Sequence, residues 1–161
     1  VISDSKAQGR DAADLGTEIH AAIQGFYEGK KESSFPYHIM TCDLTLRKHF
    51  GVQKWLCERS FGHELGFGGK VDMFANDIVV DIKTKEFNDT TKNLAFDEHL
   101  MQLAAYRVGL GMANAKCANI FISRSNPDLA VVKEWTEDDL SRGWEMFYSL
   151  LKFWQLKNQY E

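Results

Sequence analysis

Apolar residues recur at helical spacing in four parts of the chain. Over residues 10–28 they form one stripe, with Gly29 as a natural stop just beyond it. Residues 29–42 are polar and irregular and predict a loop, after which a short helix is expected near 43–50. A buried helix is predicted over 97–112, where the residues after an acidic first turn are apolar almost all round. The stripe of the first helix comprises Ala12, Leu15, Ile19, Ala22, Ile23 and Phe26.

Capping residues mark the ends of two of these helices. The short helix is expected to begin at Asp43, whose carboxylate suits an N-cap, and to end at Gly51. The sequence Thr136-Glu137-Asp138-Asp139 is similar to a capping box and predicts the start of a long last helix. We assign this helix a packing role, in the core or in an interface. Its apolar stripe comprises Leu140, Trp144, Phe147, Leu151 and Trp154.

Shorter apolar runs between the helices predict five strands. One lies within 52–65, and residues 69–85 form two more, joined by a tight turn at Asn76-Asp77. Because these three follow one another closely, we expect an antiparallel meander. The last two strands are predicted at 118–123 and 130–135. The fold class is therefore α/β, with a central mixed β-sheet flanked by helices in a single domain over residues 1–161.

Composition and charge narrow the class of protein. The chain of 161 residues is 44% hydrophobic and 26% charged, which is ordinary for a globular protein, and no stretch predicts a membrane span or a signal peptide. It begins at Val1, as a trimmed or mature chain does. The three cysteines have no disulfide or metal-site spacing, so an intracellular, reducing compartment is expected. A net charge of −4 argues against indiscriminate polyanion binding, although residues 44–70 carry a local charge of +3.

The predicted hairpin over 69–85 carries the charged residues that are hardest to explain by packing. Asp81 and Lys83 share one face of the second arm, and Asp72 lies on the first arm at a comparable distance from the turn. Burying such groups is costly unless they pair with one another, bind a metal or meet a substrate. The hairpin is therefore the candidate site.

Two helices carry further polar candidates, each with an ordinary alternative. Gly16 and His20 lie four residues apart on the first helix, where the glycine indicates a close approach or is merely tolerated. Gln102 and Tyr106 have the same spacing on the buried helix, where the alternative is a core tyrosine beside a chance glutamine. Glu58 in the first strand either reaches the two aspartates or is solvated beside Arg59.

The chemistry of these side chains favours metal-assisted phosphodiester hydrolysis. Two aspartates are hard oxygen donors that suit Mg²⁺ or Mn²⁺, and a histidine nitrogen is acceptable to Mn²⁺ especially. Such an ion activates water and stabilises charge on a phosphoryl group. Lys83 is positioned to orient that water and to stabilise the pentacovalent phosphate. Gln102 and Tyr106 are expected to hold the scissile phosphate or a neighbouring base.

Four motifs in family order then give a resemblance. Gly69-Lys70-Val71-Asp72 followed by Asp81-Ile82-Lys83-Thr84 resembles the GxxD…DxK core of the PD-(D/E)XK nuclease superfamily, whose core is restriction-endonuclease-like. The segment Gly16-Thr17-Glu18-Ile19-His20 resembles the GxxxH motif of its RecB-like exonuclease branch. Gln102-Leu103-Ala104-Ala105-Tyr106 resembles the QxxxY motif of that branch. Together the motifs span residues 16–106, most of the domain.

The resemblance implies specific roles. It makes Lys83 the catalytic lysine, and Gln102 and Tyr106 nucleic-acid or active-site supports. Glu58 is a weaker match to an acidic position of the family. The implied metal ligands are the side chains of His20, Asp72 and Asp81 and the backbone carbonyl of Ile82, and Lys70 and Lys85 remain candidate phosphate contacts.

The chain departs from the family pattern in ways that narrow the resemblance. Val71 stands where the superfamily name has proline, and the cysteines do not match the iron–sulfur cluster of the CRISPR-associated members. No helicase motif accompanies the domain. What remains is similar to stand-alone phage-type exonucleases or to the mitochondrial genome maintenance exonuclease. A bacterial or phage protein of the cytoplasm is thus expected, with a mitochondrial one also open.

Three functional hypotheses follow. The first is a Mg²⁺- or Mn²⁺-dependent exonuclease that acts on single-stranded DNA or frayed duplex ends. The second is an endonuclease that cuts DNA or RNA, because cap-snatching viral endonucleases also combine a helix histidine with this acidic core. The third is a nuclease-like domain that binds nucleic acid without cutting it. Nucleic acid is the expected partner in each case, and no membrane is.

Overall fold

The computed structural model describes residues 2–31 and 34–160, with side chains from residue 9 onward. In chain order this part forms α1 (Ile2–Tyr27), α2 (Pro36–Phe50), β1 (Leu56–His63), β2 (Phe67–Ala75), β3 (Ile78–Lys85), α3 (Asp97–Gly109), β4 (Lys116–Ser123), β5 (Ala130–Trp135) and α4 (Glu137–Lys157). The predicted α/β class, with a mixed five-stranded sheet and four helices in the described residues, is confirmed. None of these helices combines the length and the apolar character that crossing a membrane requires.

The five strands join in the order in which they occur in the chain, β1-β2-β3-β4-β5. β1 and β2 are antiparallel, and so are β2 and β3, which confirms the predicted meander. The β2–β3 hairpin closes at Ala75 opposite Ile78, around the predicted Asn76-Asp77 turn. Asp77 has a φ of 59°, in the left-handed region that a tight hairpin turn needs and that aspartate tolerates.

The chain divides into two compact units. The first, the α1–α2 unit, consists of Val1–Gln53, Ile82–Asn93 and Ile120–Val132. The second, the α3–α4 unit, consists of Lys54–Asp81, Leu94–Asn119 and Lys133–Glu161. β3 passes from the α3–α4 unit into the α1–α2 unit after Asp81. The single domain over residues 1–161 stays a prediction.

Each unit has its own apolar interior. The buried residues of the α1–α2 unit include Ile19, Ile23, Ile39, Cys42, Leu46, Ile82, Phe87, Ile120, Phe121 and Ile122. The core of the α3–α4 unit comprises Val71, Val79, Leu100, Leu103, Ala104, Ala115, Cys117, Trp135 and Leu140. Gly143 lets α4 approach α3 closely, because a Cβ there would lie 2.8 Å from Leu100 Cγ.

The first helix is longer than its apolar stripe predicts. α1 already extends from Ile2, and it ends at Tyr27, two residues before Gly29, whose φ of 83° confirms this glycine as the stop. Phe26, the last residue of the apolar stripe, is 44% exposed. Ile19 and Ile23 are the fully buried members of that stripe.

The prediction of a loop over 29–42 and a helix from Asp43 was wrong. α2 begins at Pro36, because proline suits the first helical turn, where its missing N–H leaves no bond unmade. Asp43 lies inside the helix, where its carboxylate accepts a hydrogen bond from Arg47 Nε at 2.8 Å. The predicted end at Gly51 is confirmed. Residues 32–33 of the predicted loop lie outside the described residues.

One expectation about burial also needs correction. The helix predicted over 97–112 was expected to be apolar almost all round, but α3 also buries the charged side chain of Arg107. In the stripe of α4, Leu140 is buried while Trp154 is 50% exposed, so the expected packing in the core applies to its first half and packing in an interface stays a prediction. The mostly polar stretch 84–96 is anchored by the buried side chains of Phe87 and Leu94.

Candidate active site

Two aspartates follow the last pair of the β2–β3 ladder, one on each arm. The register ends at Met73 opposite Val80, and its continuation by one residue on each arm places Asp72 opposite Asp81. Side chains directly opposite in an antiparallel pair have Cβ atoms about 4.5–5.5 Å apart, and like charges there repel. Asp81 is only 3% exposed, whereas Asp72 is half-buried. The predicted meeting of these two carboxylates on opposite arms therefore agrees with the register.

A buried amide holds one oxygen of Asp81. Asn119, which is 0% exposed on β4, donates from Nδ2 to Asp81 Oδ2 at 3.3 Å. Its other atom, Oδ1, accepts a hydrogen bond from Trp135 Nε1 at 2.9 Å. Because the indole nitrogen can only donate, it fixes which end of the amide points toward the aspartate. Trp135 and Asn119 thus orient a carboxylate oxygen that lies inside the sheet.

Asn119 and Trp135 are not among the site residues that the sequence patterns predict. The signal was available, because Asn119 is the one amide inside an otherwise apolar run over 117–122. A polar side chain in such a buried strand needs a partner. Its identity, Asp81 on a strand 38 positions earlier, follows only from the strand order.

The two polar residues of α3 lie together beside the aspartates. Gln102 Nε2 donates to Tyr106 Oη at 2.8 Å, as their spacing of four predicts. Burial, and after it the charge of Asp81, raises the pKa of the Tyr106 phenol above its ordinary value; the hydrogen bond from Gln102 acts in the opposite direction, and Asp72 adds a smaller upward effect. Gly69 makes room for the ring, because a Cβ there would lie 2.7 Å from Tyr106 Cε1. Tyr106 therefore remains a neutral hydrogen-bond donor near both carboxylates at neutral pH.

The α1–α2 unit carries the other two central candidates, His20 and Lys83. Both are half-buried, His20 on α1 and Lys83 on β3 two residues after Asp81. The close approach expected at Gly16 is confirmed, because a Cβ there would lie 2.5 Å from Thr84 Oγ1. The helix face that carries His20 one turn further on therefore packs against β3 at the residue after Lys83.

The metal-ligand set stays a prediction. Across residues 2–31 and 34–160 no three His, Cys, Asp or Glu side chains are grouped closely enough to hold an ion. The facing carboxylates of Asp72 and Asp81 nevertheless provide the hard oxygen donors that Mg²⁺ and Mn²⁺ prefer. The oxygen donors of this site are therefore of the kind that suits Mg²⁺ or Mn²⁺. The positions of His20 and of the Ile82 carbonyl in the coordination sphere remain expectations.

The remaining candidates have partners of their own. Glu58 lies opposite Asp72 in the β1–β2 register, with a φ of 54°, a backbone conformation that is strained for glutamate. Its carboxylate lies 3.2 Å from Lys70 Nζ, so the structure pairs these two exposed side chains. Lys85 Nζ lies 5.4 Å from the centre of the Phe121 ring. Contacts of Lys70 or Lys85 with phosphate, and a catalytic role for Glu58, stay predictions.

A groove of about 330 Å³ opens beside Gln102 and Tyr106. It lies within the α3–α4 unit and is walled mainly by aromatic and aliphatic side chains. The sequence patterns do not reveal this groove, because its walls come from four elements, β1, β2, α3 and α4. Its lining comprises Phe61, Phe67, Gly68, Glu98, Met101, Gln102, Ala105, Tyr106, Phe147 and Leu150.

Comparison with known proteins gives a fold and no family. No family model and no curated protein matches the chain. Among solved structures, a protein from Eubacterium rectale named "Putative exonuclease" is similar with a TM-score of 0.60 and 10% identity, over 91% of this chain and 69% of that one. The structure of SSO0001 matches at 22% identity over 70% of this chain and 56% of its own, with a TM-score of 0.34 that is too low to support an argument. The chain thus shares its α/β fold with the Eubacterium rectale protein.

Proposed function

We propose that this protein is a metal-dependent nuclease of the RecB-like branch of the PD-(D/E)XK superfamily, which hydrolyses phosphodiester bonds of DNA. The observation that carries the proposal is the pair Asp72 and Asp81, two like charges set opposite each other in a sheet. A fold that only needed stability gains nothing from that repulsion, whereas a divalent cation turns it into a binding site. The exonuclease name of the Eubacterium rectale protein agrees with this reading of the pair.

Each residue of the site has a distinct task in the proposed reaction. Asp72 and Asp81 hold Mg²⁺ or Mn²⁺, with His20 and the Ile82 carbonyl as further ligands. The bound ion supplies Lewis-acid activation of water and of the phosphoryl group. Lys83 orients the attacking water and stabilises the charge that develops on the phosphate. Tyr106 donates a hydrogen bond from its neutral phenol, and Gln102 fixes that phenol in place at 2.8 Å.

Exonuclease action on single-stranded or frayed ends is the preferred mode. The groove beside Tyr106 supports the single-stranded substrate of this mode, because its volume of about 330 Å³ suits a single group instead of a base-paired duplex. A second candidate function is nucleic-acid binding without cleavage. The presence of Asp72, Asp81 and Lys83 argues against it, because a domain that only binds nucleic acid has no need of these groups.

Nuclease assays on variants test the proposal. We expect Asp81→Ala and Lys83→Ala to lose cleavage of linear DNA with Mn²⁺ or Mg²⁺. Asp138→Ala and Lys152→Ala are matched controls, because both side chains are exposed on α4, and they should cleave as the unchanged protein does. Undiminished cleavage by both site variants would refute the assignment.

Parallel digestion of linear and circular single-stranded DNA then separates the modes of cutting. A circle offers no end, so an exonuclease leaves it intact while it degrades the linear form. Cutting of the circle would establish an endonuclease, and the same comparison with RNA tests that substrate. Mn²⁺ binding with no cleavage of any of these would favour the binding-only function.

A further inference from the structure

The groove of the α3–α4 unit has a rigid aromatic wall. The ring of Phe61 occupies space that two glycines leave open: a Cβ at Gly69 would lie 3.2 Å from Phe61 Cε1, and a Cβ at Gly109 would overlap the same ring. Phe61 also meets Phe67 and Tyr106 edge-to-face, with ring centres 5.9 Å apart in each pair. The wall is therefore formed before any ligand arrives, which lowers the entropy that binding costs.

A second aromatic residue extends this wall from α4. Phe147 lies edge-to-face on Phe67, with ring centres 5.0 Å apart. Its side chain is half-buried, so part of the ring faces the groove. Aromatic faces presented in this way stack on flat ring systems, and they do so without regard to which base is offered.

The polar groups of the groove exclude a phosphate as its occupant. None of the ten lining residues is basic, and Glu98 contributes a carboxylate. A phosphate would meet repulsion there and no counter-charge. A neutral flat ring with amino groups fits instead, because it stacks on the aromatic wall while Glu98 and Gln102 offer hydrogen-bond acceptors.

The groove is also adjacent to the proposed site of cleavage. Tyr106 lines it, and the same ring packs against β2 at Gly69, three residues before Asp72, because a Cβ at Gly69 would lie 2.7 Å from Tyr106 Cε1. A strand whose scissile phosphate sits at the two aspartates therefore carries its neighbouring nucleotide past this wall.

We infer that the groove binds one unstacked nucleobase of the strand being cut, next to the scissile phosphate. The inference rests on the proposed nuclease function and names its substrate class. Only a single strand or a frayed end can supply a base with both faces free, since a base inside a duplex must first be extruded. The groove thereby selects single-stranded ends.

Binding measured apart from cleavage tests the inference. The probe is a fluorescent single-stranded DNA oligonucleotide, compared with the same oligonucleotide carrying abasic sites at its terminal nucleotides, in chelator so that no cutting occurs. We expect the unchanged protein to bind the intact probe about 5- to 150-fold more tightly than the abasic probe. This is the factor that one stacked base contributes in other proteins that bind single strands. Phe147→Ala should remove most of that difference, while Phe147→Trp should keep it.

Two controls show whether misfolding or a general surface effect explains the result. Phe153→Ala removes an exposed aromatic ring from the same helix outside the groove and should preserve the preference for the intact probe. Thermal unfolding of Phe147→Ala reports whether the variant is folded; if it is not, the comparison of intact and abasic probes on the unchanged protein decides alone.

The outcomes separate this inference from the proposed function. Equal affinity for intact and abasic probes, in a protein that cleaves DNA with Mn²⁺, overturns the base site and leaves the nuclease. A base preference that depends on Phe147, in a protein that cleaves nothing, supports the base site and overturns the nuclease. A dimer in sedimentation that Phe147→Ala dissociates would show that a second copy occupies the groove, which also overturns the inference.

Discussion

Charged groups in the α3–α4 unit are arranged in two opposite ways. Arg107, which is 6% exposed, donates to both carboxylate oxygens of Glu137 at 2.9 and 2.8 Å and to the Ala115 carbonyl at 3.2 Å. Asp72 and Asp81, in contrast, face each other as like charges across two strands. The first pair is attractive and bidentate, and the second is repulsive by construction.

This difference separates a structural pair from a candidate site. Removing Glu137 leaves the buried guanidinium of Arg107 without its counter-charge, so the folded state should weaken. Removing one charge from Asp72–Asp81 relieves repulsion, so the folded state should hold while chemistry is lost. Retaining charges that oppose stability is typical of functional positions.

The largest expected effect is that of Asp81→Asn, which removes one of the two like charges. Cleavage with Mn²⁺ should fall by more than about 100-fold, beyond what loss of an outer-shell contact to a metal ligand costs. The free energy of unfolding should stay within about 1 kcal/mol of the unchanged protein or rise. Single-turnover cleavage and urea unfolding measure the two quantities. A destabilised variant with normal cleavage would make Asp81 a structural residue and end the contrast.

Asn119→Leu should have the next largest effect, because it removes the donor that orients Asp81 Oδ2. We expect Mn²⁺ affinity to fall about 10- to 100-fold. Stability should also fall by about 1–3 kcal/mol, since Trp135 Nε1 loses its acceptor.

A double variant separates these two consequences of losing the amide. Asn119→Leu combined with Trp135→Phe removes both hydrogen-bonding partners, so it should recover much of the stability but none of the metal affinity. Recovery of metal affinity together with stability would show that Asn119 only supports the fold.

Glu137→Gln should have a modest effect on stability alone. The hydrogen bonds from Arg107 lower the pKa of the Glu137 carboxyl in the folded protein. Its contribution is therefore present above the unfolded carboxyl pKa and is lost as the pH falls through the lowered folded value. Because the carboxylate is 66% exposed, solvent screening limits the loss to about 1 kcal/mol at neutral pH.

Unfolding at a series of pH values checks this prediction. The gap between the unchanged protein and Glu137→Gln should close in acid, while DNA cleavage at neutral pH stays the same. A gap that does not change with pH, or a loss of cleavage, would contradict a purely structural role.

The smallest effect concerns the phenol of Tyr106. Burial raises its pKa most, and the charge of Asp81 raises it further. Asp81→Asn should therefore lower the Tyr106 pKa relative to the unchanged protein, while burial keeps it above the ordinary value. Ultraviolet titration in chelator, with Tyr106→Phe subtracted to identify the signal, measures the shift. An unaltered pKa would mean that Asp81 and the phenol do not interact.

The predictability of the fold depended on how far apart the deciding residues lie in the chain. The β2–β3 hairpin was predictable, because its turn and both arms lie within one stretch of 17 residues, 69–85. The Gln102–Tyr106 bond was predictable for the same reason, since it spans one helical turn. The start of α2 was missed because Pro36 was interpreted as a loop residue instead of a first-turn helix residue.

Features assembled from distant segments could not be predicted in the same way. The partner of Arg107 lies 30 positions further on, and that of Asn119 lies 38 positions earlier. The groove is formed by four elements together. The reason for a glycine at position 109 is the ring of Phe61, which packs where a Cβ would lie. Such contacts depend on sheet order and helix packing, which local patterns do not specify.

Calorimetric titration of Mn²⁺ tests the central claim, that the Asp72–Asp81 pair is a metal platform, most directly. The unchanged protein and Glu137→Gln should bind Mn²⁺ with the same affinity, and binding should be lost in Asp72→Asn/Asp81→Asn, a double variant that stays folded. Equal binding by all three proteins would contradict the claim.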